Sequence, residues 1–163
     1  QDVDKVSTRS GYNPLEYRLG DGCAKIIDFF LASQNDTYPL TVKTDSRLTL
    51  DVAIRFIDSL TRPIFGITIK NKEGVAVYGT NTELLDIEDF KTSGRRGEVV
   101  VIRASFICRF APGDYFVSLG VATSQGEQIV PHDRRYDVIH FQVLPVTSFF
   151  GLVDAELEMS VRR

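Results

Sequence analysis

Apolar and polar side chains alternate along much of this chain, and this period of two is the feature that most constrains its fold. The pattern is clear at residues 47–57. The apolar members of that segment are Leu48, Leu50, Val52, Ile54 and Phe56. Successive side chains of a β-strand point to opposite faces, so the alternation predicts a long strand with one buried face and one solvated face.

Similar segments recur along the chain and are separated by turn sequences. The further segments are residues 64–71, 75–79, 100–109, 114–123 and 136–144, with shorter candidates at 24–31 and 38–43. Gly, Pro, Asn, Asp and Ser between them supply the turn chemistry. Only residues 82–91 offer a helix, of a turn or two at most. We therefore predict an all-β, antiparallel β-sandwich, immunoglobulin-like or jelly-roll-like, with about seven to nine strands.

The two ends of the chain differ from the segment between them. Residues 1–20 combine Ser, Thr, Gly, Asn and Pro with little periodicity, which predicts a linker or N-terminal arm before a β-sandwich domain at 21–163. Residues 151–161 alternate again and follow a connector that contains Pro145. This terminal strand either folds back onto its own sandwich or completes the sheet of a second copy in a strand-exchanged dimer. The pattern leaves both arrangements open.

Composition and charge narrow the classes of partner. Apolar residues make up 43% of the 163 residues and charged residues 25%, which is an ordinary globular balance. A net charge of −3 lacks the basic excess that nucleic-acid binding requires, so nucleic acid is disfavoured as a partner. The N-terminus is polar and no apolar stretch is long enough to span a bilayer, so we expect a soluble, cytoplasmic domain.

A search for catalytic and metal-binding motifs gives little. The chain has no nucleophile elbow, zinc-protease motif or P-loop. Its cluster of titratable residues, 131–137, places His132 beside Asp133 in sequence, which is typical of a solvated loop with internal ion pairs rather than of a catalytic pair. Cys23 and Cys108 lie in apolar runs, so we expect reduced, buried thiols. No enzyme activity, metal site or cofactor is predicted, although a deep pocket holding His132 with a carboxylate and a nucleophile would point to an enzyme.

One face of the predicted sandwich suits carbohydrate. In an immunoglobulin-like order, the strands at 64–71, 75–79, 114–123 and 136–144 share one sheet. Its outward residues would be Thr68, Lys70, Tyr78, Phe116, Ser118, Tyr136, His140 and Gln142. Sugars are bound by such a mixture, because rings pack on C–H patches while hydroxyl, amide and charged groups read the sugar hydroxyls. An ordinary mixed surface explains the same residues, and the other sheet offers a second face with Arg55 and Arg103.

The segment Gly79-Thr80-Asn81-Thr82 raises the question of a site at the end of a strand. If Val75 and Val77 point inward, Gly79 and Asn81 follow on the core side. An inward Asn would use its amide on neighbouring backbone, so we expect Asn81 to lock the turn into residues 84–85 rather than to contact ligand. Tyr78, facing outward in this assignment, is then the better ligand contact.

Several stretches together resemble a known family. They are YRLGDGCAKIIDFFL (17–31), RPIFGITIKNKEGVAVYGTNT (62–82), APGDYFVSLGVA (111–122), YDVIHFQV (136–143) and GLVDAELE (151–158). In this order they resemble the C-terminal domain of polysaccharide ABC-transporter ATPase subunits of the Wzt type, which export O-antigen.

The resemblance implies a cytoplasmic β-sandwich that binds the exported glycan, often at its modified non-reducing end. It also implies a nucleotide-binding domain that hydrolyses ATP, a transmembrane permease as partner, a position peripheral to the inner membrane and dimerisation through the terminal strand. No ligand-contact motif is matched, so the candidate site residues rest on the face assignment alone. The alternative is a protein-interaction β-sandwich without glycan affinity.

Overall fold

The alternating segments form nine β-strands in a computed structural model that describes residues 3–163. The strands are β1 Tyr17–Leu19, β2 Ala24–Ala32, β3 Thr41–Val42, β4 Ser46–Phe56, β5 Ile64–Asn71, β6 Ala76–Asn81, β7 Val99–Cys108, β8 Gly113–Gln125 and β9 Gln128–Val143. A short helix, α1 Glu88–Lys91, lies between β6 and β7, and a 3-10 turn covers Val6–Thr8. Within the described residues, no helix is long and apolar enough to span a membrane.

The strands build two sheets that face each other. The large sheet has the order β1-β9-β8-β5-β6, with β3 added in parallel to β9. The small sheet has the order β2-β4-β7. All other pairings are antiparallel. The predicted β-sandwich is therefore confirmed, and so is the grouping of the strands at 64–71, 75–79, 114–123 and 136–144 in one sheet.

The core lies between the inner faces of the two sheets. The five apolar residues of β4 named above are at most 1% exposed. From the large sheet they meet the inward residues of β8, which are Tyr115, Val117, Leu119 and Val121. Full burial of one large apolar side chain stabilises the fold by about 1.5–3 kcal/mol, so this core fixes the strands whose outer faces carry polar groups.

A β-bulge in β6 changes the facing of its last residues. Lys70 pairs with Ala76 and Ile69 pairs with Tyr78, so Val77 is an extra residue without a partner in the register. Because side chains alternate, everything after the bulge moves to the opposite face. The prediction that Tyr78 points outward with Thr68 is wrong, since Tyr78 lies on the inner side with Ile69. Gly79 and Asn81 correspondingly lie on the outer face rather than on the core side.

A second bulge corrects the interpretation of residues 131–137 as a solvated loop. Pro131 pairs with Ala122 and Asp133 with Val121, so His132 is the extra residue of a bulge in β9. Both His132 and Asp133 are only 3% exposed. The charged segment is strand because buried partners satisfy its polar groups: Asp133 accepts two hydrogen bonds from the Arg18 guanidinium, both at 2.8 Å.

The N-terminal arm packs on the sandwich. Val6 is 1% exposed in the core, and β1 pairs with β9. Arg135 of β9 is 3% exposed and donates to Glu16 at 3.0 Å and to Asp4 at 3.0 Å. Residues 3–19 are therefore held to the domain by an apolar anchor, a short strand and buried ion pairs.

The C-terminal segment forms no strand within the described chain. The N–H of Ala111 donates to Leu152 O at 2.9 Å and that of Asp154 donates to Arg109 O at 2.7 Å, after which the segment has no pairing with the sandwich backbone. Its apolar side chains are exposed: Leu157 71%, Met159 89% and Val161 82%. The alternating pattern at 151–161 thus has no partner strand among residues 3–163 of its own chain, and exchange between copies stays a prediction.

Candidate functional site

A groove runs over the outer face of the large sheet, and two glycines form its floor. Gly66 of β5 and Gly120 of β8 are direct partners across the ladder. Because neither residue has a side chain, the centre of the outer face is recessed, and the side chains around it form the walls of the groove. We call this feature the outer groove; its lining residues are Ile64, Gly66, Thr68, Asn81, Ser118, Leu119, Gly120, Ala122, Ile129, Arg134 and Tyr136. Its volume of about 380 Å³ lies within the range of about 300–1,000 Å³ usual for small-molecule sites.

Polar groups of four kinds surround the floor. Thr68 supplies a hydroxyl, Asn81 an amide, Arg134 a guanidinium and Tyr136 a phenol ring. Arg134 Nη1 lies 3.5 Å from the Tyr136 hydroxyl, so the guanidinium and the phenol border the same part of the groove. This set offers both donors and acceptors for a polyhydroxylated ligand.

Asn81 has a structural role as well as a place at the groove. Its side-chain Oδ1 accepts the N–H of Leu84 at 2.8 Å, and its carbonyl accepts the N–H of Leu85 at 3.1 Å. The predicted lock on the turn is therefore confirmed. The same side chain lines the outer groove, because the bulge turned it outward.

Aromatic rings extend the outer face along β8 and β9. The Phe116 and His140 rings are stacked, with centroids 4.7 Å apart and planes inclined by 10°. Lys70 Nζ lies 5.6 Å from the centroid of the Tyr136 ring. Tyr17 of the arm also stacks on the Tyr136 ring, with centroids 6.1 Å apart and planes inclined by 25°. Flat ring surfaces of this kind pack against the C–H faces of sugars.

His140 and Gln142 lie farther along the same face. His140 Nε2 is 2.8 Å from Asp114 Oδ1, which fixes the orientation of the imidazole. Gln142 is exposed and pairs with Asp114 on β8 and Thr41 on β3. His140 is part of the ring surface and Gln142 borders it, and neither residue lines the outer groove.

Ser118 lines the groove, but its hydroxyl has little hydrogen-bonding capacity left for a ligand. It is 8% exposed, its hydroxyl accepts the N–H of Asp137 at 2.8 Å and lies 3.4 Å from Asp137 Oδ1. Ser118 thus supports the groove wall through Asp137. Of the eight candidates, seven share the outer face and Tyr78 alone is separated from the rest.

Tyr78 lines a different groove, at the open side of the sandwich between the edge strands β6 and β7. We call it the edge groove; its volume is about 310 Å³ and its lining residues include Phe65, Ile67, Ile69, Ile102 and Phe106. It is mostly apolar. Its guanidinium, from Arg103, is paired with Asp51, with Arg103 Nε 2.7 Å from Asp51 Oδ1.

The sequence interpretation missed several residues of the outer face. Gly66 and Gly120 could have been found, because glycine inside an alternating strand often marks a close approach of a ligand. The sequence predicts a solvated loop for Arg134 and a linker or N-terminal arm for Tyr17. Nothing in their own sequence context placed either side chain on the outer face.

A third cluster collects groups that bind metals. Asp21, Cys23 and His132 bring one ligand atom each to within 4.8 Å of one another. Although burial alone would raise the pKa of Asp21, hydrogen bonds from the Cys23 N–H and the His132 ring lower it from its ordinary value. Burial and the hydrogen bond to Asp21 raise the pKa of the Cys23 thiol.

The same imidazole connects Asp21 to Thr123, which resembles the order of groups in a hydrolase triad. His132 Nδ1 lies 2.9 Å from Asp21 Oδ1, and Nε2 lies 2.8 Å from Thr123 Oγ1. A further groove beside His132 is lined by residues that include Arg18, Gly20 and Lys25. Thr123 is only 6% exposed and is not among the described residues that line this groove. The Thr123 hydroxyl is therefore almost enclosed, which does not suit a nucleophile that a substrate must reach.

Comparison with known proteins relates the chain to one family. The family model described as the Wzt C-terminal domain matches residues 16–155. A crystal structure of the C-terminal domain of wzt superposes with a TM-score of 0.88 at 30% identity, covering 99% of this chain and 98% of that chain. A comparison with curated proteins gave no match.

Proposed function

The chain belongs to the Wzt C-terminal domain family, which is associated with O-antigen ABC transporters, and we propose that it binds the exported polysaccharide in the outer groove. Binding selects the glycan for export and needs no proton transfer or covalent step. The domain acts as a non-catalytic reader, and ATP hydrolysis belongs to a nucleotide-binding domain of the same transporter.

The observation that carries the proposal is the glycine floor with its polar and aromatic border. A sugar ring can approach the backbone at Gly66 and Gly120, where no side chain blocks it. Its hydroxyls then meet Thr68 and Asn81, while an adjoining sugar packs on the surface formed by Tyr136 and the Phe116–His140 stack. Close approach gives shape selection, and the fixed donors and acceptors give orientation.

The charge of the outer face supports recognition of a modified, acidic non-reducing end. Among residues 3–163, neither Arg134 nor Lys70 has an Asp or Glu within ion-pair distance. A guanidinium can bind a carboxylate or phosphate through two parallel hydrogen bonds. We therefore expect a polysaccharide with an acidic terminal substituent to bind more tightly than the same chain without it.

Calorimetric titration with capped and uncapped polysaccharides tests the function. Tyr136→Ala is expected to weaken binding at least about tenfold, which corresponds to about 1.4 kcal/mol. Tyr78→Ala is the matched control, because it removes an exposed tyrosine from the edge groove instead. Absence of binding to every cell-surface polysaccharide of the source organism would overturn the proposal. Loss on Tyr78→Ala with full binding by Tyr136→Ala would move the site to the edge groove.

The proposed partners follow from the transporter. The domain would lie in the cytoplasm, peripheral to the inner membrane, attached to a nucleotide-binding domain and associated with a transmembrane permease. We also propose a homodimer in which residues 151–161 pair with a second copy. The exposed apolar side chains of Leu157, Met159 and Val161 support it, because they alternate as a strand does and nothing in the described chain covers them.

The edge groove favours one alternative, a protein-interaction domain without glycan affinity. Apolar side chains from β5 and β7 meet there between two unpaired strand edges, a surface suited to strand addition by another chain. The same titrations decide between the two functions, since this alternative predicts no heat with any polysaccharide.

A further inference from the structure

Three different metal-binding side chains converge beside β9, away from the outer groove. His132 Nδ1 lies 2.9 Å from Asp21 Oδ1 and 3.1 Å from Oδ2, and the Cys23 sulfur lies within 4.8 Å of both groups. His132 and Asp21 are 111 positions apart in sequence, so no spacing motif could have revealed the cluster.

The backbone holds the loop of Asp21 and Cys23 against His132. The N–H of Gly22 donates to His132 O at 2.9 Å. Gly20 has φ +140°, and a Cβ at that position would lie 2.3 Å from the same carbonyl oxygen. Only glycine allows this close approach, which holds the loop so that the side chains of Asp21 and Cys23 lie beside the imidazole.

His132 is presented as a metal ligand would be. It is 3% exposed, and its Nε2 lies 2.8 Å from the Thr123 hydroxyl. Metal-binding histidines commonly donate the N–H of the distal nitrogen to such a partner, which fixes the tautomer and the ring orientation. Nδ1 lies 2.9 Å from Asp21 Oδ1 and donates its proton to that carboxylate; a metal that displaces this proton would take the Nδ1 lone pair, and Nε2–H would then donate to the Thr123 hydroxyl.

The charge around the thiol is negative. Asp58 Oδ2 lies 3.7 Å from Cys23 Sγ, which adds a second carboxylate beside Asp21. Within residues 3–163, neither carboxylate forms an ion pair with Lys or Arg. A divalent cation between these groups would compensate the two charges and favour the thiolate form of Cys23.

We propose that Asp21, Cys23 and His132 bind a zinc ion, with water as the fourth ligand. A mixed set of thiolate, imidazole and carboxylate suits Zn²⁺, whereas Mg²⁺ and Ca²⁺ prefer oxygen ligands alone. Tetrahedral ligands at zinc distances are about 3.3 Å apart for nitrogen and oxygen, so the ion would replace the His132–Asp21 hydrogen bond after a small opening. It would fasten the loop before β2 to β9 and does not depend on the glycan function.

Titration of the purified chain with ZnCl₂, and with Co²⁺ as a spectroscopic probe, tests the site. We expect one equivalent of metal per chain, a cobalt–thiolate charge-transfer band and a raised Tm. Cys23→Ala should remove the band, and Asp21→Asn should weaken zinc binding at least about tenfold. These two residues are more exposed than His132, so their variants are expected to fold; His140→Gln is the control with the imidazole of the outer face removed.

The outcomes that overturn the proposal are specific. One is the absence of zinc binding and of the cobalt–thiolate band in the unmodified chain. Another is unchanged zinc affinity in both Cys23→Ala and Asp21→Asn, which would assign binding to other groups. Loss of zinc binding in His140→Gln alone would assign it to the outer face. A melting curve of each variant before addition of metal verifies that the fold is intact.

Discussion

Gly66 and Gly120 face each other across β5 and β8, and their missing side chains make the outer groove. Neither has φ in the left-handed region, so other residues can adopt their backbone conformation. A Cβ on Gly120 would meet Arg134 Cγ at 3.4 Å, and one on Gly66 would meet Asn81 Cβ at 3.8 Å. The groove therefore exists because of residue size rather than because of backbone geometry.

The first prediction is that filling the floor removes binding without unfolding the domain. Gly66→Val should reduce polysaccharide affinity at least about tenfold, since the branched side chain occupies the space of the sugar ring. The Tm should change little, because valine suits a strand. Calorimetry and thermal melts measure the two effects. Ala53→Val, on the small sheet, is the control and should bind normally; normal binding by Gly66→Val would contradict the assignment of the groove.

The second prediction compares two Arg–Asp pairs that have the same forked geometry but different burial. Asp133 is buried and accepts from Arg18 and from the Ile26 N–H at 2.7 Å, whereas Asp51 pairs with the exposed Arg103. Asp133→Ala should lower the free energy of unfolding by about 3–5 kcal/mol, because it leaves buried donors without an acceptor. Asp51→Ala should cost about 0–1 kcal/mol. Urea unfolding of both variants gives the comparison, and equal costs would contradict it.

The third prediction concerns acid stability. Hydrogen bonds from the Arg9 guanidinium to Asp28, both at 2.8 Å, hold the pKa of that carboxyl below its ordinary value, although burial opposes the effect. A lowered pKa in the folded state stabilises the protein above the unfolded pKa of about 3.9, and this contribution is lost as the pH falls through the folded pKa. The difference in unfolding free energy between the unmodified chain and Asp28→Asn should therefore shrink from pH 7 to pH 2. A difference that is independent of pH would contradict the role of Arg9.

The fourth prediction concerns the terminal segment. If residues 151–161 pair with a second copy, the full chain should have the mass of a dimer in light scattering. A chain ending at residue 150 should then be a monomer that keeps its β-sheet circular dichroism. Leu157→Glu would be a milder version, because it places a charge in the paired surface. A monomeric full chain would exclude strand exchange.

The alternation of apolar residues was enough to predict the sandwich, because burial of one face of each strand is a property of the sequence itself. The strands at 64–71 and 114–123 are regular, and their outward residues Thr68, Lys70 and Phe116 lie on the predicted face. A bulge is not visible in such a pattern. The extra residue Val77 places Tyr78 on the inner face instead of the outer face. The extra residue His132 lies in a charged segment that pairs as a strand, although the pattern predicts a loop there.

The candidate site was less predictable than the fold for a second reason. The outer face and the cluster of Asp21, Cys23 and His132 join residues that only the folded chain brings together, such as Tyr17 with Tyr136 and Asp21 with His132. Their positions depend on pairing between β1 and β9 and on Gly20 and Gly22 in the loop between β1 and β2. Periodicity describes one strand at a time and contains no information on these long-range contacts.

The two faces of strand β9 make different contacts. Arg134 and Tyr136 face the groove, while the intervening Arg135 is buried and holds the arm through Glu16 and Asp4. A mechanical load applied along the arm would therefore be transmitted to the strand that borders the outer groove. The arm is fastened to β9 by strand pairing and buried ion pairs, so any displacement of the arm would shift Arg134 and Tyr136 together.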